Sequence, residues 1–178
     1  MRWSLPAALT LALALAPSFL AGPAYAAAEK TTVEIKSRDG KSLGTIDISR
    51  TGAGALLKVK LAGLTPGSHG FHFHETGKCE GDFASAGEIY NPLGAVHGFL
   101  NDEGPMAGDL PNLFVDASGQ VEVELLSPFI TLSKDAEESI FDADGTSLVI
   151  FEKADDYLSE ANGNAGERIA CGIAPASK

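Results

Sequence analysis

Gly70-Phe71-His72-Phe73-His74-Glu75 is a short stretch in which aromatic and imidazole side chains alternate. Residues two apart share a face of an extended strand, so His72 and His74 point one way and Phe71 and Phe73 the other. One face can therefore enter a core while the other presents two imidazoles, which is half of a metal site. The alternative is a pair of surface histidines on a half-buried strand. Three of the four histidines in the chain fall between 69 and 74, which favours the metal site.

Short alternating segments separated by turn residues lie on both sides of this stretch. We expect eight strands: one after the turn at Gly67 that carries the histidines, and seven more near 32–36, 45–49, 57–61, 113–115, 121–125, 148–151 and 168–173. The turn Asp39-Gly40 predicts a hairpin between the first two strands. This pattern is typical of an all-β sandwich or flattened barrel.

Two segments do not fit strands. Residues 75–108 are rich in Gly, Asn, Asp and Pro, and residues 153–167 are polar and acidic. Long loops in a small domain are usually functional or disordered, and both begin where a strand ends. We expect them to build a site.

The beginning of the chain predicts export. Arg2 precedes an apolar run from Leu5 to about Leu20, and Ala24-Tyr25-Ala26 has the small-x-small pattern of signal cleavage. We expect a secretory signal at 1–26, with cleavage after Ala28 as the alternative, and one mature domain at 27–178. No later segment is long and apolar enough to span a bilayer. The expected location is the periplasm or the external medium.

Charge and cysteine content agree with that location. The formal net charge of −11 argues against nucleic acid or an anionic membrane as a partner. The two cysteines, Cys79 and Cys171, would meet an oxidising environment, so we expect one disulfide between them.

Six runs carry a family resemblance: GFHFHE, SAGEIYNP, VHG, AGDLPN, LVIFEKADDY and GNAGERIACG. In order and spacing they resemble the copper/zinc superoxide dismutases, and the short gap from His72 to Cys79 is similar to the bacterial form. The resemblance implies an eight-stranded Greek-key barrel with a long metal-site loop, an electrostatic loop and a disulfide. It also implies copper held by four histidines and zinc held by three histidines and an aspartate, with one histidine shared.

Four ligands of that pattern match this chain. His72 and His74 fall on copper positions, and His97 and Asp109 fall on zinc positions. The shared histidine falls on Ile89, the remaining zinc histidine on Met106 and the last copper histidine on Phe151.

These losses affect the two metals unequally. Zinc requires four ligands and does not favour a thioether, so we expect no zinc. Reduced copper tolerates few ligands, so we expect that one copper ion can still bind to the histidine pair, with a water or a carboxylate added.

Three further residues have expected roles. Arg168 matches the arginine that draws the anionic substrate toward copper in the family, and its alternative role is to anchor a loop near the disulfide. Asp155 matches a carboxylate that links the copper and zinc histidines, and it can accept hydrogen bonds from His72 and His97 without metal. His69 has no matching role, and we expect a solvated turn residue.

Three functional hypotheses follow. The leading one is an exported, disulfide-bonded family member with a degraded metal centre and no efficient dismutase activity. The second is a copper protein for storage or delivery. The third is a working dismutase of unusual coordination in which Glu88 or Tyr90 replaces a lost ligand. The expected partners are therefore a copper ion or superoxide, and no sequence feature indicates an oligomeric state.

Overall fold

A computed structural model describes Met1 and residues 29–174, so the predicted signal lies, apart from Met1, outside the described residues. Strands dominate this part of the chain, with one 3₁₀ turn at Ala84–Ala86 and one short helix, α1, at Glu160–Gly163. The strands are β1 (Lys30–Ser37), β2 (Ser42–Thr51), β3 (Gly54–Ala62), β4 (Gly67–His69), β5 (Phe71–His74), β6 (Leu113–Val115), β7 (Gln120–Ser127), β8 (Thr146–Phe151) and β9 (Arg168–Ala174). No helix in the described ranges is long and apolar enough to cross a membrane.

The strands form one large antiparallel sheet and one small one. The seven-stranded sheet has the order β5-β8-β9-β1-β2-β3-β7, and β4 pairs with β6. The first strand lies beside the last, as in Greek-key connections. The expected all-β architecture is confirmed.

The hairpin expected at Asp39-Gly40 is also present. Gly40 has a φ of 81°, which a side chain would resist, and its amide donates to the carbonyl of Ser37 at 2.9 Å. Val33 pairs with Ile46 in the resulting ladder, and both are fully buried. The alternation of buried and exposed residues therefore fixes the register of β1 against β2.

Two hydrophobic clusters lie on opposite sides of β8. Leu148 and Ile150 belong to the main core, which also holds Phe71 and Phe73 of β5. Val149 and Phe151 belong to a smaller cluster. The other buried members of that cluster are Phe83, Ala86, Ala165 and Cys171. Because β5 pairs with β8, the histidines of β5 and Phe151 of β8 lie on the same face of the sheet.

Gly70 divides the predicted histidine strand into β4 and β5. A Cβ atom at this position would lie 2.8 Å from the Cβ of Ala165, so only glycine allows the segment after β8 to pack this closely. The amide of Gly70 donates to the carbonyl of Lys153 at 2.7 Å. The single expected strand is therefore two short strands, which accounts for nine strands instead of eight.

The prediction for His69 was wrong. This side chain is 1% exposed. Its Nδ1 lies 2.7 Å from the carbonyl oxygen of Phe151, and its Nε2 lies 2.8 Å from the carbonyl oxygen of Thr65. The imidazole therefore lies between two backbone carbonyl oxygens and donates a ring N–H to at least one of them.

The expected disulfide joins Cys79 and Cys171, with their Cα atoms 5.8 Å apart and a sequence separation of 92. It ties the long segment after β5 to the middle of β9. The prediction of one disulfide is confirmed.

The double variant Cys79→Ser/Cys171→Ser should lose about 4–5 kcal/mol of unfolding free energy, because the bridge closes a long loop in the unfolded chain. Urea denaturation of the variant and the oxidised protein measures this difference. Reduced wild-type protein is the control and should match the variant. A loss under about 1 kcal/mol would contradict a structural role for the bridge.

Candidate metal centre

His72 and His74 are almost completely buried, and each uses one ring nitrogen to hold its ring in place. Nε2 of His72 donates to Oδ2 of Asp155 at 2.8 Å, and Nδ1 of His74 donates to the carbonyl of Gly87 at 2.9 Å. The other nitrogens, Nδ1 of His72 and Nε2 of His74, have no hydrogen-bond partner among the described residues. Two buried lone pairs are therefore left without a partner.

His74 is held in its neutral form. Burial lowers its pKa to about 3, and the nearby positive charge of Arg168 acts in the same direction. A neutral imidazole is the form that binds a metal ion. The free Nε2 therefore has a lone pair that a metal ion could use.

Two hydrocarbon side chains, Phe151 and Ile89, lie next to the histidine pair. The ring of Phe151 lies with its centroid 5.3 Å from that of His72 and 5.8 Å from that of His74, and the two imidazole centroids are 6.4 Å apart. Ile89 forms an isolated β-bridge with His74 and is buried. The structure thus places Ile89 and Phe151, two of the three positions where the family pattern has histidine, beside the histidine pair.

The loops that carry these residues cover the free edge of β5. The amide of Phe73 donates to the carbonyl of Gly108 at 2.9 Å, and the carbonyl of Phe73 accepts from the amide of Tyr90 at 2.9 Å. Covering an edge strand in this way blocks pairing with another chain. It also brings Ile89 and Asp109 next to the two histidines.

His97 and Asp109 form a second buried group. Nδ1 of His97 donates to Oδ1 of Asp109 at 2.8 Å. Oδ2 of Asp109 accepts the amides of Gly98 and Met106 at 2.8 and 2.9 Å. Burial alone would lower the pKa of His97, but hydrogen bonds and charge from the two carboxylates of Asp109 and Asp155 raise it to about 10. The two predicted zinc ligands are therefore bonded to each other.

Asp155 connects the two groups. Besides its bond to His72, its Oδ1 accepts the amide of Tyr157 at 2.6 Å and lies 3.4 Å from Nε2 of His97. Burial would raise the pKa of this carboxyl, and the hydrogen bonds from His72 and His97 lower it instead. One ligand atom from each of His72, His97 and Asp155 lies within 4.8 Å of the others, a spacing that a metal ion could bridge.

Arg168 contacts backbone carbonyls of the long loop. Nη1 donates to Phe83 at 2.7 Å and Nη2 donates to Gly87 at 2.7 Å. The carbonyl of Gly87 therefore accepts from both Arg168 and His74. This geometry fits the loop-anchoring alternative, and guidance of an anion by Arg168 stays a prediction.

The structure does not favour Tyr90 or Glu88 as a replacement for a lost metal ligand. The hydroxyl of Tyr90 donates to the carbonyls of Glu137 and Ser139 at 3.0 and 2.9 Å, and burial raises the pKa of Tyr90 to about 12. Glu88 is exposed. The third hypothesis, in which Glu88 or Tyr90 replaces a lost ligand, is not favoured for Tyr90, because its hydroxyl bonds to carbonyls of another loop.

Sequence reasoning missed Asn112. Its side-chain amide donates to the carbonyl of Asp155 at 2.9 Å and accepts the amide of the same residue at 2.9 Å. Its own amide donates to the hydroxyl of Tyr157 at 2.7 Å. Its place at the end of the AGDLPN run was the available signal. Asn112 therefore fixes the backbone that carries the buried carboxylate.

Asp155→Asn should lower the unfolding free energy by about 3 kcal/mol, because it removes the charge that two buried imidazoles share. Thermal and urea unfolding measure the loss. Asp102→Asn is the matched control at an exposed carboxylate of the long loop and should have a much smaller effect. Equal losses in the two variants would mean that the buried cluster contributes nothing special.

Comparisons with known proteins agree with this geometry. The family described as "Copper/zinc superoxide dismutase (SODC)" matches residues 42–174. "Superoxide dismutase [Cu-Zn] 1" of Aquifex aeolicus is 45% identical over 146 residues, which are 81% of this chain and 86% of that protein. "Superoxide dismutase-like protein YojM" of Bacillus subtilis is 45% identical over 143 residues, which are 79% of this chain and 73% of that protein.

A solved structure is similar as well. The crystal structure of a superoxide dismutase-like protein from Bacillus subtilis, in a double mutant that introduces two histidines, has a TM-score of 0.78 and 44% identity. The match covers 80% of this chain and 95% of that one. The family match spans most of the chain, and the relatives exceed 40% identity over most of its length. The chain belongs to the copper/zinc superoxide dismutase family.

Proposed function

We propose that this chain is an exported member of the family in which the metal centre has degraded. In this proposal residues 1–26 are a removed signal and residues 27–178 form the mature domain. The domain holds at most one copper ion, on His72 and His74, and does not catalyse dismutation efficiently. The observation that carries the proposal is the position of Phe151 against both histidine rings.

Zinc does not fit the residues present. His97 and Asp109 would have to give up their mutual hydrogen bond, and Asp109 would lose two further amide contacts if it turned. Met106 offers only a thioether, and zinc favours four nitrogen, sulfur or oxygen donors of the thiolate, imidazole and carboxylate kind. With two suitable donors at this position, the zinc site is incomplete.

Copper fits better but not completely. The two unpartnered nitrogens are buried, and their rings are oriented by Asp155 and by the carbonyl of Gly87. Such partners fix the tautomer and the ring direction of a metal-binding histidine. A bound copper ion would supply redox chemistry, and the protein would supply two preorganised nitrogens.

Dismutation needs more than this chain offers. The metal must change oxidation state in both directions, and a proton must reach the reduced oxygen species. Ile89 has no nitrogen to share between two ions or to carry a proton, and Phe151 fills the remaining position with hydrocarbon. Arg168 is bonded to two backbone carbonyls, and Glu167 beside it opposes the attraction of an anion.

Two other functions remain as alternatives. Storage or delivery of copper is favoured by the same two free nitrogens and would need no catalysis. A working copper-dependent dismutase would convert superoxide to oxygen and hydrogen peroxide with unusual coordination. The position of Tyr90 argues against the second alternative, because its hydroxyl bonds to two carbonyls of another loop.

Copper-supplemented protein should bind at most one copper ion per chain and should accelerate superoxide decay no more than metal-free protein does. Metal analysis after gel filtration measures the copper, and a stopped-flow assay measures the decay. Rapid decay that is proportional to the bound copper would establish a working enzyme and overturn the proposal.

The triple variant Ile89→His/Met106→His/Phe151→His should gain both metal sites, because these are the positions where the family pattern has histidine. Isothermal titration with Zn²⁺ and Cu²⁺ measures the gain. The matched control is Leu100→His/Phe114→His/Leu126→His, which adds three histidines at exposed positions. If the triple variant is folded by circular dichroism and binds no more metal than the control, the assigned positions are wrong.

A further inference from the structure

The number of free nitrogen donors in the histidine pair suits the two oxidation states of copper unequally. Cu(II) favours four nitrogen or oxygen donors in a tetragonal arrangement. Cu(I) is stable with two or three donors. Nδ1 of His72 and Nε2 of His74 are the two unpartnered buried nitrogens of this pair. The number of available donors therefore matches Cu(I) and falls short of what Cu(II) requires.

The neighbours of the pair do not supply the missing donors. Phe151 is in contact range of both rings, and its side chain is 1% exposed. Ile89, which forms an isolated β-bridge with His74, is a second buried hydrocarbon side chain. The Asp155 carboxylate is already bonded to His72 and to the amide of Tyr157. The His97 ring, with its centroid 5.5 Å from that of His72, lies beside the same carboxylate, and its Nε2 is 3.4 Å from Oδ1 of Asp155. The side chains next to the histidine pair thus offer hydrocarbon, occupied oxygen atoms and one imidazole whose Nε2 lies beside the Asp155 carboxylate, to which Nε2 of His72 is already bonded.

Charge acts in the same direction. The cost of burying an ion in a medium of low dielectric constant rises with the square of its charge, so a divalent ion is penalised more than a monovalent one. The guanidinium of Arg168 shares the carbonyl of Gly87 with His74, which places a fixed positive charge close to the pair. That charge repels Cu(II) more strongly than Cu(I), whereas the Asp155 carboxylate bonded to His72 attracts Cu(II) more strongly. Because these two charges act in opposite directions, the cost of burial is the contribution that favours Cu(I).

We propose that His72 and His74 form a site selective for monovalent copper, which holds Cu(I) and does not cycle it to Cu(II). This inference rests on the proposed function, because it assumes that the histidine pair holds copper at all. It adds the oxidation state of the ligand. It also gives a reason for poor catalysis that is independent of proton supply, since a site that rejects Cu(II) cannot complete a redox cycle.

Competition against chromophoric chelators tests the selectivity. Metal-free protein is titrated with Cu(I) under anaerobic reducing conditions and, separately, with Cu(II) in air. We expect one Cu(I) per chain and an affinity for Cu(I) above that for Cu(II) by about a hundredfold or more. At about 59 mV for each factor of ten, a hundredfold preference raises the reduction potential of the bound ion by about 120 mV.

Two variants separate donor number from packing. Phe151→His adds a nitrogen beside the pair and should raise the affinity for Cu(II) more than that for Cu(I). Phe151→Leu keeps hydrocarbon at the position and should leave the preference for Cu(I) unchanged. Circular dichroism and the retained disulfide establish that both variants are folded.

The outcomes are distinguishable. If Cu(II) binds to the wild-type protein as tightly as Cu(I), the selectivity is wrong and the proposed copper site stands. If neither form binds, the copper part of the proposed function fails and the selectivity fails with it. If Phe151→Leu loses the preference as fully as Phe151→His does, the number of donors is not its cause, and the inference is overturned.

Discussion

The antiparallel pairing of β5 with β8 constrains the whole candidate metal centre. His72 lies opposite Val149 in this ladder, so one face of both strands must enter the main core and the other must face the long loops. A shift by one residue would place the imidazoles in the main core and turn Phe71 and Phe73 toward the long loops. The register therefore fixes both the position of the histidine pair and the presence of Phe151 beside it.

Two buried carboxylates, Asp109 and Asp155, connect the histidines of this region to the surrounding backbone. Asp155 accepts from His72, and Asp109 accepts from His97 and from two backbone amides. Buried charges persist when they are paired and hydrogen-bonded. The cluster joins the loop after β5 to the loop after β8, which together with the disulfide holds two long irregular segments against the sheet.

Much of the fold could be predicted because period-two alternation shows which residues face the core. The histidine pair, Phe151 and the disulfide followed from alternation, family pattern and cysteine count. His69 and Tyr90 could not be predicted in the same way. Apart from Thr65 beside His69, their partners are backbone carbonyls from distant parts of the chain. Every residue type offers the same carbonyl, so the sequence carries no signal for these contacts. The division of the histidine strand at Gly70 could not be predicted either, because the close approach of Ala165 exists only in the folded chain.

The most direct test of the proposed degradation of the metal centre is a crystal structure of protein soaked with copper and zinc, with anomalous scattering recorded at both absorption edges. We predict no zinc at His97 and Asp109, and at most one copper ion whose protein ligands are His72 and His74. Zinc on His97 and Asp109, or copper with three or more protein nitrogen ligands, would contradict the account.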